Sequence, residues 1–209
     1  EFQKTPFYIF SESYGGKMAA AIALALSKEI KAGSIKCVLG GVALGDSWIS
    51  PVDSVQSWGP YLYSILLDEE GLQEVQALAN EVQDALNRGQ YEKATELWSE
   101  TEWGGQSADV FANMAGDFMK PVIDTVDQLL VENVNVTVYN GQLDLIVDTV
   151  GQENWVKHLK WPKLGTFMAL KWVPLHVCSK CLETSAFYKS YENFSFYWIL
   201  KAGHMVPAD

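Results

Sequence analysis

Residues 6 to 44 constrain the fold more than any other stretch of the chain. Pro6-Phe7-Tyr8-Ile9-Phe10 is a short apolar, aromatic run that reads as a buried strand. Ser11-Glu12-Ser13-Tyr14-Gly15-Gly16 follows as a small polar turn. Lys17 to Ile30 is rich in Ala and Leu, both strong helix formers. Gly33 stands just past its end, where a C-cap glycine belongs. Cys37 to Leu44 is a second apolar strand. Strand, helix and strand at this spacing make a parallel βαβ unit, which sets the class as α/β with a mostly parallel sheet.

The remainder supplies further strands and a helical block. Residues 45 to 60 read as loop, punctuated by Gly45, Asp46, Pro51, Gly59 and Pro60. From about 70 to 100 the chain is acidic and amphipathic, with Leu72, Val75, Leu78, Val82 and Leu86 on one helical face. Gly89 separates that helix from a shorter one carrying Ala94, Leu97 and Trp98. After Trp103-Gly104-Gly105, a helix is expected from about 109 to 130, with Pro121 kinking it or starting a new segment. Val134 to Tyr139 alternates and is β-branched, so it reads as a strand. Gly141 to Asp148 is the loop beyond it, and Gln152 to Leu159 a helix. Residues 161 to 185 read as irregular or a small hairpin. Phe194 to Leu200 is a last, aromatic strand running into Lys201-Ala202-Gly203-His204. No linker interrupts the pattern, so residues 1–209 read as a single domain with a helical insertion at about 50–105.

The formal net charge of -11 excludes nucleic acid and anionic membrane surfaces as partners. It also suits an acidic compartment. Three cysteines, Cys37, Cys178 and Cys181, leave at least one without a partner inside the chain. Cys178 and Cys181 form a CxxC with no second ligand pair for zinc, and read as a local disulfide or two unpaired thiols. No metal and no cofactor is expected. Asn135-Val136-Thr137 and Asn193-Phe194-Ser195 are glycosylation sequons. The chain starts at Glu1 with no signal peptide or long apolar span, and reads as the middle of a longer protein.

Three residues share one kind of place. Ser13 lies between a strand and a helix, Asp144 follows a strand by a short loop, and His204 follows the last strand. Ligands of open α/β sheets bind at the carboxyl ends of strands. The order Ser, Asp, His is that of α/β-hydrolases. Taken alone, Ser13 reads equally as a turn-capping serine or a nucleophile. The elbow G-x-S-x-G is met as Ser11-Glu12-Ser13-Tyr14-Gly15, with serine in the first glycine position. As the start of a helix, the turn would place the Tyr14 N–H at a developing oxyanion. Asp144 lies between Leu143 and Leu145, where a carboxylate needs a partner. An imidazole is one such partner, and Asp148 is the rival for that role. His158 reads as a solvated surface histidine and His176 as uninformative.

At these residues the chain resembles the serine carboxypeptidase family. Phe10-Ser11-Glu12-Ser13-Tyr14-Gly15-Gly16 is similar to the family's G-E-S-Y-A/G-G segment. Tyr139-Asn140-Gly141-Gln142-Leu143-Asp144 is similar to its Y-x-G-D-x-D segment. Ala202-Gly203-His204-Met205-Val206-Pro207 matches its histidine segment. The resemblance implies an α/β-hydrolase fold with a helical insertion, peptide substrates, and release of C-terminal amino acids. It implies Ser13 as nucleophile, His204 as general acid/base, Asp144 as its orienter and Tyr14 as one oxyanion donor. Glu12 is implied to bind the substrate carboxylate through a proton shared with a second glutamate. A secreted or lysosomal glycoprotein, glycosylated at Asn135 and Asn193, is implied as well; its oligomeric state is left open.

Ser11 departs from the family pattern, as does Gln142, which stands where many members have Asp. The family's glycine-rich oxyanion segment and second glutamate normally precede the nucleophile strand, and only a few residues precede it here. The insertion reads as shortened around Glu100 to Gly105. An incomplete domain lacking N-terminal strands is therefore expected, with the nucleophile strand as an exposed apolar edge and no peptide hydrolysis by this chain alone. Ser13 Oγ is expected within roughly 2.6–3.2 Å of one His204 nitrogen, with Asp144 at the other. An esterase or acyltransferase on the same triad, or a non-catalytic binding protein on the same fold, are the alternatives.

Overall fold

The computed structural model describes residues 2–100, 108–178 and 180–208. Its strands are β1 (Pro6–Ser13), β2 (Val38–Ser47), β3 (Val136–Gly141), β4 (Val173–Leu175), β5 (Ala186–Tyr191) and β6 (Phe194–Ile199). They form one sheet in the order β1-β2-β3-β6-β5-β4. The first four in that order run parallel, whereas β5 and β4 are added antiparallel. The helices are α1 (Tyr14–Lys31), α2 (Pro51–Tyr63), α3 (Glu69–Asn87), α4 (Tyr91–Ser99), α5 (Ala108–Phe118), α6 (Ile123–Val131), α7 (Thr149–Lys157) and α8 (Leu164–Ala169).

The expected βαβ unit is β1-α1-β2. Alanines at 19, 20 and 23 give α1 a flat buried face, so that helix lies close to the sheet. That face joins Val42, Leu44, Val136, Val138, Phe194 and Phe196 from the strands and Leu129, Trp155 and Phe167 from α6, α7 and α8 in one core. A second apolar cluster lies among α2 to α5, around Trp48, Trp58, Val82, Ala94, Trp98 and Phe118. Of these helices α2, α3 and α4 fall within the stretch read as an insertion, and α5 lies just beyond it. Residues 101–107 lie outside the described residues, and with them most of the segment where a shortening is expected.

Three expectations need correction. Residues 45–60 are not a loop: β2 continues to Ser47 and α2 occupies Pro51–Tyr63. Pro51 sits in the first turn of α2, where its missing N–H costs nothing, so it starts the helix. Gly59 and Pro60 lie in the C-terminal part of α2, which Val55 and Trp58 bury against its neighbours. The expected helix from 109 to 130 is two helices, because Pro121 falls in the break between α5 and α6. Residues 161–185 hold α8 and β4, and β4 pairs with β5 rather than closing a hairpin within that stretch.

Cys178 and Cys181 form a disulfide, and Cys37 is free. Among the described residues no helix is long and apolar enough to cross a membrane.

Candidate active site

The site begins with backbone geometry. Ser13 ends β1 and Tyr14 opens α1, with no residue between them. The chain makes that turn with Ser13 at φ 56° and ψ −132°. A side chain rarely adopts such a conformation, and it costs of order 1–3 kcal/mol. It persists because both sides are pinned: the Trp48 N–H donates to the Ser13 carbonyl at 2.9 Å, and α1 buries its alanine face. Ser11, in the elbow's first glycine position, also finds its explanation here. A Cβ on Gly15 would stand 2.2 Å from Ser11 Oγ. The space that two glycines usually share is thus used by one serine side chain.

β3 and β6 deliver the other two residues. Leu143 N–H donates to the Ala202 carbonyl at 2.8 Å, joining the loop after β3 to the loop after β6. Gly141 permits that contact, because a Cβ there would stand 2.1 Å from the Gly203 carbonyl oxygen. His204 Nδ1 lies 2.7 Å from Asp144 Oδ2. Asp144 is only 1 % exposed, and its Oδ1 accepts the Val147 N–H at 3.1 Å. Burial opposes protonation of His204. The hydrogen bond and charge of Asp144, helped by Glu12, outweigh it and hold the imidazole above its ordinary value. With Nδ1 turned to the carboxylate, Nε2 is the nitrogen left for other chemistry.

Asp148, the rival carboxylate, is equally buried but engaged elsewhere. Its Oδ1 accepts the Gly151 N–H at 2.9 Å, capping α7, and its Oδ2 accepts Ser57 Oγ at 2.6 Å. Burial pushes it up to about 6 despite those bonds. His158 is exposed, and exposed His176 meets the Glu183 carbonyl at 2.9 Å.

Ser13 and His204 line the same cavity, of about 110 Å³, with aromatic walls from Trp48, Trp98, Phe111 and Phe118. Among the described residues no hydrogen bond joins Ser13 Oγ to His204. The structure therefore brings the three residues to one end of the sheet and pairs two of them directly. Tyr14 stands at the first turn of α1. Its hydroxyl donates to Asp117 Oδ2 at 2.7 Å, and burial with that acceptor pushes the phenol up to about 12. Lys17, 4 % exposed, meets the same carboxylate at 3.1 Å, so α1 and α5 are tied beside the cavity. Glu12 accepts from the Tyr139 hydroxyl at 3.3 Å.

The two sequon asparagines differ. Asn135 is exposed and its Nδ2 donates to the Gly40 carbonyl at 2.8 Å. Asn193 is 8 % exposed, and its Nδ2 donates to the Leu130 and Val134 carbonyls at 3.0 and 2.8 Å.

Sequence reasoning passed over Asp46. It lies at the end of β2, is fully buried, and has a positive φ of 38°. Its Oδ1 accepts the Gly141 N–H at 2.8 Å, while Oδ2 has no hydrogen-bond donor. Oxygen atoms of Asp46 and Asp144 and a ring nitrogen of His204 all lie within 4.8 Å of one another. Burial first, then contact with Asp144, pushes the Asp46 carboxyl up to about 9. The signal was available: Asp46 follows the apolar run Val42-Ala43-Leu44, the same setting that drew attention to Asp144.

A family model described as serine carboxypeptidase matches residues 1–102 and 74–209. The chain is 51% identical to the retinoid-inducible serine carboxypeptidase of Rattus norvegicus and 50% identical to that of Homo sapiens. Each alignment takes in 100% of this chain and 62% of the relative, so the chain spans under two thirds of their length. Both alignments run over 282 residues, more than this chain has, so these relatives carry internal segments that it lacks. The crystal structure of Kex1ΔP, a prohormone-processing carboxypeptidase from Saccharomyces cerevisiae, superposes with a TM-score of 0.74 at 17% identity. That match covers 98% of this chain and 59% of the other, and identifies the fold as that of the α/β-hydrolases. The chain belongs to the serine carboxypeptidase family.

Proposed function

We propose that this chain carries the catalytic triad of a secreted or lysosomal peptidase that releases C-terminal amino acids, with Ser13 as nucleophile, His204 as general acid/base and Asp144 as its orienter. The observation that carries the reading is the strained backbone of Ser13, held between β1 and α1 at the mouth of a cavity that His204 also lines. Strain of this kind at a strand-to-helix turn is what a nucleophile elbow requires.

In this reading His204 Nε2 takes the Ser13 hydroxyl proton as Oγ attacks the scissile carbonyl, then returns it to the leaving amine. Asp144, accepting from Nδ1, fixes the tautomer and stabilises the imidazolium. The Tyr14 N–H, at the positive end of α1, supplies one oxyanion donor. Glu12, in its protonated form, donates to the terminal carboxylate of the peptide. Of the two sequons, exposed Asn135 is the one we assign a glycan, because Asn193 is buried and a glycan on its Nδ2 would remove one of the two hydrogen bonds that nitrogen donates.

Acyl transfer draws on two oxyanion donors, and losing one costs about 10²–10³ in rate. This chain offers the Tyr14 N–H alone among groups we can assign, so we infer that the 209-residue polypeptide does not hydrolyse peptides by itself. The absence of a Ser13–His204 hydrogen bond among the described residues favours one other reading, a non-catalytic binding protein on the same fold. A fluorophosphonate probe separates the two. The full-length protein should be labelled at Ser13, lose labelling in Ser13→Ala, and release the C-terminal residue of an N-blocked dipeptide. Absence of labelling would leave the binding protein, and labelling with ester but no peptide turnover would make the protein an esterase or acyltransferase.

A further inference from the structure

The position of Asp46 raises a problem of proton count. Its Oδ2 is buried without a donor, and its neighbours are another carboxylate and an imidazole. Two carboxylates so close cannot both ionise cheaply in a buried setting. Both oxygens of Asp144 already accept, from Val147 N–H and His204 Nδ1, which leaves Asp46 as the partner with an oxygen free to carry a proton. Asp46 accepts one bond, from Gly141 N–H, and its second oxygen is buried with no hydrogen-bond partner among the described residues. The charged and titratable groups around it are Asp144 and His204 from the loops after β3 and β6, Glu12 from β1, and Tyr139 from β3. None of them is a lysine or an arginine that could compensate a second negative charge.

We propose that Asp46 is a positioning residue: it stays protonated, donates its Oδ2 proton to Asp144, and thereby fixes the carboxylate that orients His204. The proposal deepens the triad reading and rests on it. It accounts for two otherwise separate facts, the complete burial of Asp46 and its unpaired oxygen. Protonation turns an unpartnered acceptor into a donor facing a carboxylate, a charge-assisted hydrogen bond. It also sets an upper pH limit on the arrangement. Once Asp46 ionises, its repulsion of Asp144 would loosen the pair that holds His204.

The test uses the 209-residue chain and needs no turnover. There are three histidines, so the His204 imidazole can be followed by NMR through a pH titration. In the unmutated chain, the carboxyl carbon of Asp46, seen by aspartate ¹³C labelling, should not titrate in the ordinary carboxylate range. His204 should show a second, alkaline inflection where Asp46 ionises. Asp46→Asn, a neutral donor of the same shape, should leave the His204 midpoint within about 0.3 unit and remove the alkaline inflection. A drop of about one unit or more in that midpoint would mean that Asp46 carried a charge, and would overturn the proposal. So would an Asp46 carboxyl that titrates normally, a measurement that needs no variant to fold. Asp144→Asn serves as the control: it should lower the His204 midpoint. If it does not, the pairing behind the triad reading fails together with the proposal. If it does while Asp46→Asn lowers the midpoint too, only the proposal falls.

Discussion

The two faces of the sheet are built from different residues, although they alternate along the same strands. In β3 and β6, Val136, Val138, Phe194 and Phe196 point to the face covered by α1, α6, α7 and α8. Between them stand Thr137, Tyr139, Ser195 and Tyr197, on the opposite face. There, with Tyr8 and Phe10 of β1, three of them border an open groove of about 340 Å³. Parallel strands covered on both sides usually read as continuous apolar runs. Here the period is two, as in a sheet with one wet or polar-covered face. Hydroxyls on Thr, Ser and Tyr let the open face keep water, while the rings of Tyr188 and Tyr197 stack at 5.4 Å to shelter each other. The covered face holds the fold together, and the open face is free to change.

The largest expected effect comes from cutting the same hole in each face. Phe196 is 2 % exposed and packs against Trp172. Phe196→Ala should cost about 3–5 kcal/mol in urea unfolding. Tyr197→Ala, one residue on and facing the other way, should cost about 1 kcal/mol, mostly the lost stacking with Tyr188. Equal losses would mean that the groove face is packed in solution, and the contrast between the faces would be wrong.

The next contrast is between the covered face and the rim of the sheet where the site lies. Raised carboxyls also occur on the helices of the covered face, Asp127 on α6 and Glu153 on α7, both through burial, but the largest shifts lie at the rim. Asp46 and Asp148 have raised values, to about 9 and about 6, chiefly through burial. A carboxyl raised in the folded state binds its proton more tightly than in the unfolded chain. Its contribution is complete below the ordinary carboxylate value and is lost as pH rises towards the folded one. His204 is also raised, and its contribution fades as pH rises above the ordinary histidine value. Asp117 and Glu132 are lowered and act the other way, but only below the ordinary carboxylate range. From pH 5 to pH 8 the rim groups share one sign. Stability should fall over that interval, by up to about 4 kcal/mol from a single carboxyl that stays protonated throughout, and Asp46→Asn should flatten the fall. A stability that rises over the same interval would show that these groups ionise freely in the folded chain.

Much of this architecture is legible in the sequence, and the misses have physical causes. The unit from β1 to β2 is local, so an apolar run, a polar turn and an Ala-rich helix are enough to place it. α2 escaped because Gly59 and Pro60 resemble a loop when their tertiary partners are unseen, although Pro51 was a start signal. β5 escaped because a short antiparallel strand is specified largely by its neighbour, here β6, across the turn at Glu192 and Asn193. The pairing of Asp144 rather than Asp148 with His204 depends on which loop meets β6, a tertiary fact that no spacing reveals. Asp46 was within reach, since a carboxyl closing an apolar strand asks for a partner wherever it occurs.

The smallest expected effect on stability lies at β1. Among the described residues β1 pairs with β2 alone, so it is an edge, and Phe10 is 70 % exposed with Tyr8 at 56 % beside it. An edge strand with aromatic side chains presents both unpaired backbone groups and apolar surface, which favours association with another copy. Phe10 buries little in this chain, so Phe10→Ser removes few contacts and should change the unfolding free energy by no more than about 0.5 kcal/mol. Its effect should fall on colloidal behaviour instead: less dye binding to exposed apolar surface, and less concentration-dependent association in sedimentation. The neighbouring Ile9 points to the covered face and packs against the core cluster. Ile9→Ser should therefore destabilise the fold without improving solubility. If Phe10→Ser were as damaging as Ile9→Ser, Phe10 would be buried in solution by something packed on the open face, and the two faces would no longer differ in the way the strands imply.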